Sequence, residues 1–261
     1  MMPAKWRQLG AVVALSLLVG ACGNDVNKEA DAVKGKSDLT RSLIDAAATA
    51  RSQNDIATAV TYYRSALSRE PDNREAAVGL MQSLRMSGGL DEARGVAAKV
   101  LASKPTDPAV LAEAGKVKLA TGQIDDAIRL LKEATTDNAR DASSLAALGL
   151  AYDRLGEFPQ ADSYYEQALA IVPSDANVLN DYALSRAMAN DLDAALKLLE
   201  RAAAAPNADL RVRQNLALVY ALSGNMTKAE ELTRRDLPPA MVGATLDYYR
   251  QLAAAATTKR Q

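Results

Sequence analysis

The chain has 261 residues, with 31 Lys and Arg against 32 Asp and Glu, no His, one Cys, 49% hydrophobic residues and only 4% aromatic residues. The near-neutral balance supplies no basic surplus for gripping nucleic-acid phosphates, and the absence of His with a lone Cys removes intrachain disulfides, the usual metal ligands and the commonest general base. Much of the apolar content is Ala, which favours many short helices with closely approaching backbones over a core of large side chains.

Lys5 and Arg7 precede an apolar run from Leu9 to Ala21 that ends in small residues. This is the layout of an export signal, and the run is too short for a bilayer span, which needs about 20 apolar residues. Leu18-Val19-Gly20-Ala21-Cys22 resembles the lipobox of bacterial lipoproteins, although Val19 stands where Leu is commonest. The resemblance implies cleavage before Cys22 and acylation of that residue; the alternative is an ordinary export signal in which Cys22 is incidental. Acyl chains contribute about 0.8 kcal/mol per buried methylene, so several would anchor the protein durably. Gly23, not Asp, follows the Cys. By resemblance to sorted lipoproteins this implies the periplasmic face of the outer membrane. Residues 22–39 are polar and lack a periodic apolar face, which predicts a lipidated Cys followed by a flexible tether.

From Thr40 the sequence repeats with a period of 34, in blocks 40–73, 74–107, 108–141, 142–175, 176–209 and 210–243. One column is Ala throughout: Ala59, Ala93, Ala127, Ala161, Ala195 and Ala229. A second holds Asn54, Gly88, Gly122, Gly156, Asn190 and Gly224, the two residue types that readily turn left-handed after a helix, so the first helix of each block ends there. A third, with Ala57, Asp91, Asp125, Pro159, Asp193 and Thr227, is expected at the cap or first position of the second helix. Pro71, Pro105 and Pro173 terminate the second helix in three blocks. Beyond Leu237-Pro238-Pro239, the residues Val242, Leu246, Tyr249 and Ala253 share one face of a final helix, which is expected to cap the array over 244–261.

The block resembles the tetratricopeptide repeat, most fully over 142–175, where Leu145, Leu148, Gly149, Tyr152, Ala161, Tyr165, Ala168 and Pro173 all match. That resemblance implies an all-α solenoid of six helix-turn-helix repeats whose first helices line a groove for a protein partner. Met81 and Asp236 depart from the small-residue positions of the repeat, and the paired tyrosines Tyr62-Tyr63, Tyr164-Tyr165 and Tyr248-Tyr249 are read as packing residues.

By phase, Ile44, Val78, Ala109, Ala112, Ala146, Leu150, Leu184 and Leu218 face the groove, an apolar trough suited to an amphipathic segment. Towards its end the lining becomes polar, with Asn177, Asn180, Asp181, Arg211, Gln214 and Asn215. Asn pairs are suited to holding a peptide backbone and Arg211 to holding a carboxylate, or these residues are simply a solvated inner face. The Lys and Asn set of chaperone-binding tetratricopeptide domains is replaced by Ile44, Ala48 and Gly79. Ser87-Gly88-Gly89 lacks the Lys of a phosphate loop, and Asp125-Asp126 sits at a helix start, where acids favour the dipole. No catalytic constellation, cofactor site or metal site is expected.

Val212 to Leu218 (VRQNLAL) and Arg234 to Pro239 (RRDLPP), followed by a Tyr-containing helix, look like the tetratricopeptide lipoprotein of tight-adherence (Tad, Flp-type pilus) assembly systems. The resemblance implies a non-enzymatic, pilotin-like helper of the outer-membrane secretin. The other reading is a general envelope scaffold for cell-wall enzymes or outer-membrane protein assembly.

Overall fold

A computed structural model describes residues 22–137 and 140–258 of the protein. Residues 1–21, with the export-signal reading, lie outside them. Every regular element among the described residues is helical: α1 (Cys22–Ser52), α2 (Ile56–Arg69), α3 (Arg74–Ser87), α4 (Leu90–Ser103), α5 (Pro108–Ala120), α6 (Ile124–Asp137), α7 (Ala142–Leu155), α8 (Phe158–Ile171), α9 (Ala176–Met188), α10 (Leu192–Ala203), α11 (Leu210–Leu222), α12 (Met226–Asp236) and α13 (Pro239–Thr258). None is long and apolar enough to cross a membrane.

The turn between the two helices of each block is set by one backbone conformation. Asn54, Gly88, Gly122, Gly156, Asn190 and Gly224 all have positive φ, between 62° and 89°, as the column of Gly and Asn requires. The second helices begin one residue earlier than expected, at Ile56, Leu90, Ile124, Phe158, Leu192 and Met226. The column read as a cap or first position is therefore the second helical residue. Its acids, Asp91, Asp125 and Asp193, lie in the first turn near the positive end of the dipole, while Asp55, Asp191 and Asn225 serve as the side-chain caps. Another column caps the first helices. Asn73 accepts from the Ala76 amide, Asp107 from Ala109 and Val110, Asp141 from Ser143 and Ser144, Asp175 from Asn177 and Val178, and Asp209 from Val212. Each such cap contributes about 1 kcal/mol to its helix.

The chain divides into two compact units, one up to Ser87 and the other from Gly88. In the first, α2 packs on both α1 and α3, and α1 touches α3. The packed part of α1 starts at Thr40, 2% exposed, after exposed Ser37, Asp38 and Leu39. The segment 22–39, expected as a flexible tether, continues α1 as helix. Its Ala, Glu and Lys residues are helix formers, and extending a helix from an end already fixed by packing avoids the nucleation cost.

In the second unit each helix packs on the next, from α4 to α13. The first helices of successive pairs, α5, α7, α9 and α11, also touch one another, whereas the second helices α6, α8, α10 and α12 do not among the described residues. A stack bends towards the set of helices that is closer together, so α5, α7, α9 and α11 line its concave side. The last helix begins at Pro239 instead of 244, because Pro suits the first turn, where its missing N–H is not needed. Val242, Leu246 and Tyr249 bury its inner face.

Helices within a pair cross at small residues. The Ala column is 0% exposed in all six blocks, Ala59, Ala93, Ala127, Ala161, Ala195 and Ala229 alike. Gly149 on α7 lies beneath the ring of Tyr165 on α8, so a Cβ added there would stand 2.8 Å from the ring carbon Cζ. Tyr165 cannot yield easily: it is fully buried, stacks on Tyr182 at 5.2 Å, and its hydroxyl donates to Asp153 at 2.8 Å. In an open helix Gly→Ala gains up to about 1 kcal/mol. Here Gly149→Ala is expected to lose about 1–3 kcal/mol through overpacking, as read by urea unfolding; a neutral or stabilising result would show that the ring is not held in place.

Candidate functional site

On the concave side of the second unit, Leu150 (α7), Leu184 (α9) and Leu218 (α11) are partly buried and occupy one repeat position, forming a ridge that passes from helix to helix. Ala146 and Ala109 are also partly exposed, while Ala112 is buried at 7% exposure and adds little surface. Met188, 61% exposed at the end of α9, extends the apolar area; sequence phase alone did not single it out. Val78 is half-buried, but Ile44, expected in the trough, is 2% exposed and belongs to the core of the first unit. Its column faces α2 and α3 there because α1 has no preceding repeat to line a groove with.

The polar residues of α9 and α11 form a linked set. Arg211 donates to the Asn177 side-chain oxygen at 2.8 Å and stands 3.8 Å from Asp181 and 3.7 Å from Asp209. Asn215 donates to the Asn180 side-chain oxygen at 2.7 Å, and Asn180 in turn donates to Asp181 at 3.1 Å. Asn180 is 0% exposed, so its amide joins the two helices and offers nothing to a peptide backbone. Arg211, read from sequence as a carboxylate holder, already lies between two carboxylates of its own chain. Burial pushes the Asp181 carboxyl up, opposed by the hydrogen bond from Asn180 and by Arg211. Gln214 is half-buried, and its backbone carbonyl accepts from the Tyr249 hydroxyl at 3.2 Å.

Behind this face, Asp153 is a buried carboxylate shared by three helices. Tyr165 of α8 donates to one oxygen at 2.8 Å and Ser185 of α9 to the other at 2.5 Å. Burial is the largest influence on Asp153 and raises its pKa; the same holds for Asp162, whose carboxylate accepts from Arg186. Tyr182 is pushed up to about 12, chiefly by burial. No His, Cys, Asp and Glu side chains among the described residues are grouped as a metal site.

The two stretches that carry the pilus-assembly resemblance meet in one corner. Arg213 of α11 pairs with Asp236 at the end of α12 at 3.2 Å, Arg235 pairs with the same carboxylate at 3.0 Å, and the Tyr249 bond fastens α13 to α11. Arg235 holds the Asp236 carboxyl below its ordinary range, with Arg213 adding to the effect. Asp236, which departs from the small residue usual in the repeat, thus has a structural task. The corner encloses about 170 Å³ among Arg213, Gln214, Asp236 and Tyr249, less than the roughly 300 Å³ at which small-molecule pockets begin. Cys22 begins α1, and its side chain lies outside the described residues.

These helix pairs are tetratricopeptide repeats: one family model so described matches residues 50–114 and 84–151, and a second matches 144–179. The chain is a tetratricopeptide-repeat protein, and solved structures share its solenoid fold. A thermophilic tetratricopeptide-repeat protein of Thermus thermophilus is 22% identical, with a TM-score of 0.63 over 69% of this chain and 98% of that one. PilW, described as a widely conserved type IV pilus biogenesis factor, is 16% identical, with a TM-score of 0.65 over 76% and 91%. PilF of Pseudomonas aeruginosa is 18% identical, with a TM-score of 0.60 over 77% and 91%. No curated protein sequence matches the chain.

The raised carboxyls set the sign of one pH effect. Asp153 holds its proton to higher pH in the folded state than at its ordinary value of 3.8. Its contribution to stability is therefore fully present below that value and is lost as pH rises through the folded pKa. Asp126, Asp191 and Asp236, lowered by their Lys and Arg partners, act in the opposite sense. The difference between wild type and Asp153→Asn isolates the effect: the wild type should lose stability relative to the variant between about pH 4 and pH 7 in thermal unfolding, and parallel pH profiles would refute it. At the corner, Asp236→Ala leaves Arg213 without its carboxylate partner and should cost about 1–2 kcal/mol, with faster hydrogen exchange confined to α12 and α13.

Proposed function

We propose that this protein is an envelope lipoprotein, anchored through Cys22 at the periplasmic face of the outer membrane, that assists assembly of a Tad or Flp-type pilus as a pilotin-like helper of the secretin. The observation that carries the reading is the pairing, in one chain, of the Leu18-Val19-Gly20-Ala21-Cys22 box with a repeat array whose last third contains VRQNLAL and RRDLPP. In the structure those two segments form one fastened corner through Arg213, Asp236 and Tyr249, which supports treating them as one unit. PilW lends a precedent for this fold in pilus biogenesis, at the level of fold alone. On this reading the protein acts by holding another protein: the ridge of Leu150, Leu184 and Leu218 is its partner surface, and no chemical step is required of it.

A general envelope scaffold is the second reading, favoured by how widely the fold is shared: a chain of the Cut9–Hcn1 assembly matches with a TM-score of 0.69 over 84% of this chain. A deletion strain separates the two. Loss of secretin multimers from the outer membrane and loss of surface pili are expected; normal multimers would end the pilotin mechanism, and normal pili with co-purifying cell-wall enzymes would select the general scaffold. Cys22→Ser should abolish processing and membrane fractionation, and a variant that is still processed and still sediments with membranes would remove lipidation as the anchor.

A further inference from the structure

We propose that the concave face across α7, α9 and α11 receives an amphipathic helix of a partner protein that carries Lys or Arg along one flank. The proposal rests on the scaffold reading above and adds the chemistry of the occupant.

The apolar part is set by spacing. Leu150, Leu184 and Leu218 repeat once per inner helix, and packed helices are about 8–10 Å apart. Residues seven apart on a guest helix are separated by about 10.5 Å, so one apolar stripe can meet all three leucines in turn. Met188, 61% exposed beside them, is unbranched and adapts to the shape of a guest.

The charge of the flank follows from Asp181, Arg211 and Asp209. Their side chains are 37%, 49% and 55% exposed, so all three reach the surface of the face. Two carboxylates and one guanidinium leave this edge net negative. The guanidinium is already engaged by Asn177, and the start of α11, which would attract an anion, is capped by Asp209 itself. An approaching carboxylate meets two like charges, whereas a cation completes the set. Asp181, pushed up by burial, also gains most from an added positive neighbour.

The test uses the purified full chain and three fluorescent peptides of about 18 residues with one common Leu stripe and a flank of Lys, Gln or Glu. Binding is followed by anisotropy at about 50 and about 300 mM salt. The Lys peptide should bind at least about tenfold more tightly than the Glu peptide, with a smaller margin at high salt. Asp181→Asn combined with Asp209→Asn, which keeps a competent cap on α11, should bring the Lys peptide to the level of the Gln peptide. Leu184→Glu should weaken all three, with unchanged helicity as the folding control. Equal or tighter binding of the Glu peptide, or a Lys preference that survives the double Asn variant, overturns the proposal. The pilus reading fails or stands on the deletion strain, so each can fall without the other.

Discussion

The close crossing of two helices at one small residue is the constraint on which the rest of this molecule depends. With Ala59, Ala93, Ala127, Ala161, Ala195 and Ala229 all fully buried, each pair is locked at a separation that a larger side chain would widen. A fixed separation within pairs makes every pair the same shape, and pairs of one shape stack in a regular way. The strict period of 34 follows: an inserted residue would rotate the next helix by about 100° and turn the Ala away from its crossing. Tyr165 shows how tight the arrangement is, since it fills the space over Gly149 and spends its hydroxyl on Asp153 in the same place.

Regular stacking also decides where a partner surface can be. In the second unit the inner helices touch each other and the outer ones do not, so the residues one repeat apart on α7, α9 and α11 become neighbours on a concave face. That brings Asn177 to Arg211 and Asn180 to Asn215, pairs separated by 34 and 35 positions in the chain. The polar end of the groove is thus partly used in joining α9 to α11. What it presents outwards is the remainder after those internal bonds, a half-exposed acidic edge beside an apolar ridge.

Much of this was legible in the sequence, for reasons that differ by residue. The left-handed turns at Asn54, Gly88, Gly122, Gly156, Asn190 and Gly224 were legible because few residue types tolerate positive φ, and the Ala column because size at a crossing admits little else. The capping column of Asn73, Asp107, Asp141, Asp175 and Asp209 repeats just as strictly, yet Asp and Asn are common in any loop, so their period was easy to pass over. Helical continuation through 22–39 was missed because polar composition argues against burial, and burial is not what extends a helix. At the candidate site, phase placed Leu150, Leu184 and Leu218 correctly on one face. It could not show that Asn180 is wholly buried or that Arg211 is held between Asp181 and Asp209, because those facts depend on which side chains of adjacent repeats meet.

The corner of α11, α12 and α13 changes how the resemblance to pilus-assembly lipoproteins should be weighed. A short motif shared between proteins can mark a binding surface or a fold-specific fastening, and here Arg213, Asp236 and the Gln214 carbonyl are spent on one another and on Tyr249. Residues engaged in this way close the array by holding α13 over the last pair. The motif therefore supports a shared way of ending the solenoid, while the work of recognition falls to surfaces the corner keeps in position. Gln214 and Asn215 stand next to Leu218 on α11, so a helix whose outer side is fastened by Arg213 presents its inner side at a fixed angle to the ridge. On that argument the family-specific residues act through α11, and the chemistry that selects a partner lies one face away from them, along Leu184, Leu218, Asp181 and Asp209.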